Sequence, residues 1–361
     1  MTEYLQKFQT NHTTANGLPS NDVRSIAVEN QNSIWAGTSK GLSRFDGIKW
    51  VLVNEIADIS LLYVDNNQNL WTVASHRLFD KNYQIALEIP ESIQTIVEDN
   101  QKQVWVSGSH KIYCRILDGT WHHFDKEFKD NIQDMVIDNN ERIWLATDNG
   151  LTCYCDGEIM LFNQKNSGLP SNNLRCIEID QHGHLWIGSD AGVIVFDRQT
   201  EWHFINGSKS GLPYEDVTQI ILGPHGQRWI GTTLGAVLWD NGKWEYFHSK
   251  RWLLDDSVNA ISIQDNNTAF IATSEGISQI EKRKYSLEQK AEALADQLGV
   301  KLGDITDFYE NEDGYYPQPF EARVEMMEMD AAGGAMPAEI SLGENEVRKN
   351  VSITFEINKL L

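Results

Sequence analysis

The sequence predicts an all-β, seven-bladed β-propeller that is closed by its own N-terminal strand and followed by a small α+β tail. Three observations predict this fold: an aromatic residue that recurs at regular intervals, a four-strand pattern around each recurrence, and a last repeat that lacks one strand. Four short strands with their turns form one blade of a propeller, and a period of about 40 residues has that length.

The recurring aromatic residue is a tryptophan in six repeats and a phenylalanine in the seventh, and neighbours are 34 to 43 residues apart. Positions within each repeat are counted from this reference residue, so that position −11 lies eleven residues before it. The reference residues are Trp35, Trp71, Trp105, Trp144, Trp186, Trp229 and Phe270.

The four-strand pattern is clearest in residues 17–50. A Gly-Leu-Pro-Ser turn opens the repeat, and Asp46-Gly47 is a hairpin signal before the last strand. The same opening returns at 168–171, and a variant of it at 211–214. The strands predicted for this repeat are 23–28, 34–38, 42–45 and 49–51.

The two ends of the ring are also predicted. The seventh repeat, from residue 258 to about 280, has only three strands, whereas residues 4–8 precede the first turn as 244–247 precede the last blade. We therefore expect the N-terminal strand to complete blade 7, because closure removes an unpaired sheet edge. The predicted domains are a propeller over 1–281 and a tail over 282–361.

The tail has a different pattern from the repeats. Ser286 and Gln289 have the spacing of a helix capping box, and apolar residues follow on one helical face. Strands are predicted at 301–309 and 351–357. So small a unit can hardly bury a core of its own, and we expect it to pack on the propeller, dimerise or stay partly mobile.

Composition excludes several classes of function. The net charge of −22 disfavours nucleic acid and anionic membranes as partners. The four cysteines have no Cys-x-x-Cys spacing, and no phosphate loop or dinucleotide fingerprint occurs, so we expect no zinc and no cofactor. No apolar run is long enough for membrane insertion, and the first residues have neither the basic nor the apolar region expected of a signal peptide. We expect a soluble chain, cytoplasmic as given or periplasmic if a signal has been removed.

The repeats resemble the two-component regulator propeller family. The shared pattern is Gly-Leu-Pro-Ser-x-x-Val-x-x-Ile, then Trp-x-Gly-Thr-x-x-Gly-Leu, then Phe-Asp-Gly-x-x-Trp, and residues 17–50 carry all of it. The resemblance covers roughly residues 1–281 and is specific in blades 1, 5 and 6. It implies a sensor-like propeller, such as the periplasmic part of hybrid histidine kinases, often linked to polysaccharide use.

The tail resembles the second half of a SIMPL (DUF541) domain. The resemblance rests on residues 289–303 and 340–347 and covers about 286–358. Members of that family are oligomeric, so the resemblance implies a homo-oligomer formed through the tail.

A polar residue occupies position −11 in every repeat, directly after an apolar one. These residues are expected to form a ring at one mouth of the central channel. The ring either hydrates the channel and satisfies strand ends, or it binds a ligand, with Arg24 and Arg175 holding an anionic or sugar-like group. The ring consists of Arg24, Ser60, Gln94, Gln133, Arg175, Thr218 and Asn259.

Blades 2 and 3 depart from the repeat in the loop between their second and third strands, where His76-Arg77 and His110-Lys111 replace the usual turn. Four basic groups on adjacent blades of an acidic protein indicate a binding site, although drift in two degenerate repeats is the alternative. A metal site is less favoured, because the repeat places no carboxylate with them.

The loops between blades add two aromatic candidates, Tyr214 and Trp252, which either stack on a sugar ring or wedge between blades. The residues at one equivalent turn position are predicted to cap Asx turns: Asp22, Asp58, Asn131, Asn173 and Asp216.

The leading functional hypothesis is a non-catalytic, sensor-like propeller that binds a polar or anionic small ligand, such as an oligosaccharide, at the channel mouth. One alternative is a protein-interaction scaffold with an oligomerising tail. Another is a lyase or hydrolase that acts on a polyanionic sugar, with His76 or His110 as the base. The predicted ligand-binding residues are Arg24, His76, Arg77, His110, Lys111, Arg175, Tyr214 and Trp252.

Overall fold

The computed structural model describes nine stretches of the chain and places them in two compact units. One unit is Gln6–Arg283, and the other consists of Met1–Leu5 and Lys284–Leu361. The described residues are 4–30, 33–124, 126–199, 201–206, 212, 214–240, 242–285, 301–310 and 351–358.

The larger unit contains seven four-stranded sheets. Six of them are meanders, in which four consecutive strands lie side by side in chain order, because short turns join each strand to the next. β1 (Tyr4–His12) comes first. Blade 1 follows with β2 (Val23–Asn30), β3 (Ser33–Thr38), β4 (Gly41–Phe45) and β5 (Trp50–Asn54). Blade 2 has β6 (Ile59–Val64), β7 (Leu70–Ala74), β8 (Arg77–Phe79) and β9 (Ile85–Glu88).

The remaining blades repeat this order. Blade 3 has β10 (Thr95–Glu98), β11 (Val104–Ser107), β12 (Ile112–Arg115) and β13 (Trp121–His123). Blade 4 has β14 (Ile132–Ile137), β15 (Ile143–Thr147), β16 (Gly150–Cys155) and β17 (Glu158–Phe162). Blade 5 has β18 (Leu174–Ile179), β19 (Leu185–Ser189), β20 (Gly192–Phe196) and β21 (Trp202–Ile205). Blade 6 has β22 (Val217–Leu222), β23 (Arg228–Thr232), β24 (Gly235–Asp240) and β25 (Lys243–Phe247). Blade 7 has β26 (Ala260–Asp265), β27 (Thr268–Thr273) and β28 (Gly276–Tyr285).

Blade 7 is completed by the N-terminal strand. Its sheet has the order β1-β28-β27-β26, so β1 is the outermost strand of the last blade. The innermost strands β2 and β26 pack side by side, which closes the ring between blades 7 and 1. The predicted seven-bladed propeller with N-terminal closure is therefore confirmed.

The core of the propeller lies between neighbouring blades. Trp144 of blade 4 is almost fully buried and meets Phe196 of blade 5 edge to face at 6.1 Å between ring centroids. Such aromatic contacts add to the burial of apolar surface that holds blades together. The repeated clusters explain why each repeat needs its reference residue.

The glycine of the Trp-x-Gly-Thr pattern lets successive blades approach. A Cβ atom on Gly37 would lie 2.4 Å from the side chain of Ile59 in blade 2, and one on Gly231 would lie 2.8 Å from Val258 in blade 7. Both distances are too short for atoms that are not bonded to each other, so a Cβ atom at either position would force its neighbours to shift. The glycine is thus required because the apolar residue directly before the polar ring position of the next blade packs against it.

An acidic residue at position −6 fixes the hairpin between the first two strands in five blades. In blade 3 one oxygen of Asp99 accepts the backbone N–H groups of Gln101 and Gln103, and the other accepts the indole N–H of Trp105 at 2.8 Å. The acid therefore shapes the turn and positions the reference tryptophan. The five acids are Glu29, Asp65, Asp99, Asp138 and Asp180.

Short helices complete the described fold: α1 (Ser249–Trp252) and two 3₁₀ turns, Thr14–Asn16 and Pro224–Gly226. No helix among the described residues is long and apolar enough to cross a membrane. In the smaller unit, β29 (Lys301–Glu310) and β30 (Val351–Asn358) pair antiparallel, as the alternation in the sequence indicates. The helix predicted from Ser286 lies outside the described residues.

Candidate ligand site at the channel mouth

The innermost strands of the blades enclose a central cavity of about 620 Å³. This volume is in the range of small-molecule sites, roughly 300–1,000 Å³. Polar side chains of the ring at position −11 lie at one end, and acidic side chains line the wall farther along the strands. The ring residues of the lining are Gln94, Gln133, Arg175, Thr218 and Asn259, and the acids are Glu98, Asp134 and Glu178.

A β-bulge positions the ring. In five blades the register of the first two strands shifts at position −11, for example between Ile132 and Asp134 in blade 4. The residue left over by a bulge is unpaired, and its side chain is aimed away from the regular pleat. This local irregularity places a polar residue at the mouth although the residue before it, at position −12, is apolar in every blade.

The two arginines of the ring are each paired with a carboxylate of the following blade. Arg24 contacts Asp58 at 3.0 Å and also Asp22 at 3.0 Å, whereas Arg175 contacts Asp216 at 2.7 Å. The hydrogen bond to Asp22 is the main cause that raises the pKa of Arg24. The carboxylate of Asp58 accepts from Arg24, and that of Asp216 forms an ion pair with Arg175, so both carboxylates contact a guanidinium group of the preceding blade.

Other ring members divide into anchored and free side chains. Thr218 donates to the backbone carbonyl of Val258, and Asn259 donates to that of Val23 in blade 1. Ser60 and Gln133 are exposed and make no hydrogen bond with the described part of the chain. The ring thus both satisfies strand ends and leaves polar groups at the mouth.

One position farther along the strand, side chains link each blade to the next. Ser25 accepts the backbone N–H of Leu62 at 2.8 Å, and Gln219 accepts that of Ile261 at 2.6 Å. Asp134 likewise accepts the backbone N–H of Ile177 in blade 5. Sequence reasoning missed this belt, although polar residues recur at position −10.

The acids of the cavity wall have unusual proton affinities. Burial raises the pKa of Asp134 to about 6, although three hydrogen bonds to its carboxylate oppose the shift. Burial, with the nearby charge of Asp134 as a second cause, raises the pKa of Glu178 to about 8. At neutral pH the Glu178 carboxyl is therefore mainly protonated and can donate a hydrogen bond.

The basic residues of blade 2 converge on one carboxylate. His76 Nε2 and Arg77 Nε both lie 3.1 Å from the same oxygen of Glu88. The hydrogen bond from Arg77, followed by the one from His76, lowers the pKa of Glu88. All three side chains are exposed.

The basic residues of blade 3 are also paired. His110 Nδ1 lies 3.4 Å from Glu91, and Lys111 lies 2.8 Å from Glu127. Carboxylates therefore accompany these basic groups, although the repeat pattern placed none with them. Glu88 is the cross-strand partner of Arg77 in blade 2, whereas Glu91 and Glu127 come from the loops that enter and leave blade 3. Among the described residues, no three side chains are grouped as metal ligands.

The two aromatic candidates are differently placed. Trp252 meets Phe247 edge to face at 5.5 Å and packs against the apolar cluster of blades 6 and 7. Arg251 lies over its ring at 5.5 Å. Trp252 thus has the position of a wedge between blades, and Tyr214 is half-buried. A stacking role for either residue stays a prediction.

Fold and repeat pattern together define a seven-bladed β-propeller whose repeats resemble those of two-component regulator propellers. The family model described as "two component regulator propeller" matches residues 17–40 and 168–191. The SIMPL model, described as a protein of unknown function (DUF541), matches residues 286–355. Both resemblances seen in the sequence are confirmed. A comparison with curated proteins found no match.

Solved structures share the propeller fold at low sequence identity. The extracellular domain of a hybrid two-component system from B. thetaiotaomicron is 18% identical with a TM-score of 0.66, covering 92% of this chain and 46% of that one. This chain therefore spans about half of that relative. Virginiamycin B lyase from Staphylococcus aureus is 13% identical with a TM-score of 0.61, covering 77% and 99%. The WD40 propeller domain of Doa1 is 12% identical with a TM-score of 0.62, covering 78% and 99%.

Proposed function

We propose that this propeller is a non-catalytic, sensor-like recognition module that binds a small polar ligand, such as a neutral oligosaccharide, at the channel mouth. The observation that carries the proposal is the cavity of about 620 Å³ with free polar side chains at its entrance. Gln133 of the lining offers an amide, and Ser60, at the same ring position of blade 2 but outside the lining, offers a hydroxyl; both are exposed and unbonded within the described chain. Amide and hydroxyl groups both donate and accept, which suits a ligand rich in hydroxyl groups.

Charge favours a neutral ligand over an anion. Arg24 and Arg175 already carry carboxylate partners, so an anion at the mouth would have to displace Asp58 or Asp216. The net charge of −22 adds a long-range repulsion against anions. The arginines are better suited to orient the ring and to donate their remaining N–H groups to sugar oxygens.

The resemblance to two-component regulator propellers supports a role in sensing. The B. thetaiotaomicron structure is described as the extracellular domain of a hybrid two-component system, and it shares the propeller fold. Because this chain covers only 46% of that relative, a signalling role is not carried over from the relative and is proposed here for this polypeptide. A ligand that bridges several blades would stabilise the ring, and a partner protein could read that change.

The test is binding by calorimetry to malto-, xylo- and manno-oligosaccharides and to uronate-containing ones of equal length. We expect a neutral series to bind and to raise Tm. Gln133→Ala should weaken binding by roughly tenfold, the effect of about 1.4 kcal/mol from lost hydrogen bonds. Asn140→Ala is the matched control, because Asn140 lies on the hairpin at the opposite end of the same strand.

Two results would contradict the proposal. One is binding of the uronate series alone, which would place an anion at the arginines. The other is an absence of any change in Tm with all sugars in the panel.

A further inference from the structure

A second cavity, of about 600 Å³, opens on blade 3. It lies on the surface formed by the loop between β11 and β12 and by the loops that enter and leave this blade. Its lining consists of Pro90, Glu91, His110, Lys111, Glu127, Phe128 and Lys129.

The backbone of blade 3 is adapted to form this cavity. Glu91 lies so close to Gly108 that a Cβ atom there would be 2.3 Å from the Glu91 carboxylate. Phe128 donates its backbone N–H to the carbonyl of His110 at 3.0 Å, and its ring is almost fully buried beneath the cavity. The loop that replaces the usual turn of the repeat is thus held in place from both sides.

The lining carries charges of both signs. Glu91 and Glu127 are acidic, and Lys111 and Lys129 are basic. Lys129 is exposed and makes no ion pair or hydrogen bond with the part of the chain that the structure describes. A single anion or a single cation would therefore meet one favourable and one unfavourable set of charges.

The ion pairs already present are easily exchanged. Glu91 reaches His110 only at 3.2 to 3.4 Å, through the backbone N–H and Nδ1. Lys111 contacts Glu127 at 2.8 Å, but the Glu127 side chain is 67% exposed. A solvent-exposed pair such as that of Lys111 and Glu127 contributes little to stability. A ligand that supplies an ammonium and a carboxylate can take the place of each partner without leaving a charge unpaired.

We propose that this cavity binds a zwitterion with an apolar body, namely a free α-amino acid with an apolar side chain. Its carboxylate lies toward Lys111 and Lys129, and its ammonium lies toward Glu91 and Glu127. Its side chain lies against Pro90 and the part of Phe128 that lines the cavity. This site is separate from the oligosaccharide site and does not depend on it.

The test uses three probes that differ in one charge at a time. L-Phenylalanine carries both charges, N-acetyl-L-phenylalanine lacks the ammonium, and L-phenylalaninamide lacks the carboxylate. We expect calorimetry to show that phenylalanine binds at least tenfold more tightly than either derivative and more tightly than glycine. Equal binding of phenylalanine and one derivative, or no binding of phenylalanine at millimolar concentration, would overturn the proposal.

Charge variants locate the site. Lys129→Gln and Glu127→Gln should each weaken phenylalanine binding about tenfold. Lys40→Gln and Glu275→Gln are the matched controls, because both residues are exposed, stand at the loop position of His110 in blades 1 and 7, and change the net charge equally. Equal losses in variants and controls would show that phenylalanine does not bind in the blade 3 cavity. Circular dichroism checks that each variant is folded.

Discussion

At the scale of single residues, the acid at position −6 has different hydrogen-bond partners in different blades. Asp138 is 1% exposed and accepts from Trp144, from Arg142 and from Arg198 of blade 5. Burial alone would raise the pKa of Asp138, but the hydrogen bonds from Trp144 and its neighbours outweigh it and lower the pKa. Asp99 has the same turn and indole contacts without an arginine.

The two aspartates therefore give a matched comparison. Asp138→Ala leaves two guanidinium groups beside an empty site, and removing one partner of a buried ion pair costs about 3–5 kcal/mol. Asp99→Ala leaves only N–H donors without an acceptor, which costs about 1–3 kcal/mol. Guanidinium chloride unfolding of both variants measures the difference, and equal losses would show that the arginines contribute nothing to stability.

The sequence reveals the acid at position −6 but not its partners in the neighbouring blade. Arg198 lies in the turn before β21, and its distance from Asp138 is set by the packing of two blades. The same holds for Glu91 and Glu127, which lie in the loops that enter and leave blade 3 and pair with His110 and Lys111. Repeat counting places side chains within a blade, whereas contacts between blades depend on loop length and bulges.

At the scale of elements, the closing strand β1 carries a buried histidine at its end. His12 is 4% exposed, its Nε2 is 3.0 Å from Gln279 Oε1, and its ring meets Phe45 edge to face at 5.0 Å. Burial lowers the pKa of His12, although the hydrogen bond with Gln279 opposes the shift. The junction of blades 7 and 1 therefore requires the neutral ring.

Acid should weaken this closure. Because the folded-state pKa of His12 is lowered, its contribution to stability is present above about pH 6.5 and is lost as the pH falls through the folded value. We expect the free energy of unfolding to fall less between pH 7 and pH 5 in His12→Gln than in the unaltered chain. His182→Gln, at an exposed hairpin, should keep the original dependence.

Hydrogen exchange of β1 and β28 at the two pH values locates the effect. Faster exchange confined to these strands at pH 5 is expected. An unchanged pH dependence in His12→Gln would contradict the role of this histidine.

The sequence predicts the strands and their order better than it predicts the contacts between side chains. The period of the reference residue predicted seven blades, and the missing fourth strand of the last repeat predicted that β1 closes blade 7. These features are encoded locally, by strand alternation and turn residues. The bulge at position −11 was not predicted, because an extra residue in a strand leaves no mark in composition.

At the scale of the whole molecule, the belt at position −10 joins blades through their innermost strands. Asp134 accepts from Thr95 of blade 3 and from Ile177 of blade 5, so one carboxylate links three blades. Glu178 lies beside it in the wall of the cavity, and Cys176 on the same strand faces both acids. Glu98 brings a further carboxyl group to the cavity from blade 3. The channel therefore gathers carboxyl groups of several blades at the centre of the ring.

The two acids of the cavity wall should act in the opposite direction to His12, because their own contribution to the stability of the propeller falls as the pH rises from acid to mildly alkaline values. The pKa of Asp134, about 6, and that of Glu178, about 8, lie above the unfolded values near 4. Their contribution to stability is therefore fully present below about pH 4 and is lost as the pH rises through 6 and then 8. The loss has a physical cause, since each ionisation adds a buried charge beside another.

Glu178→Gln imitates the protonated side chain, so the variant should be more stable than the unaltered chain at pH 9 and should depend less on pH between 7 and 9. Glu158→Gln, on the exposed outer strand β17, should behave like the unaltered chain. Guanidinium chloride unfolding at pH 5, 7 and 9 measures both. The acids at the centre of the ring repel one another only when they are ionised. Equal stability of the two variants at pH 9 would therefore mean that the ring relaxes and lets water hydrate the ionised carboxylate of Glu178.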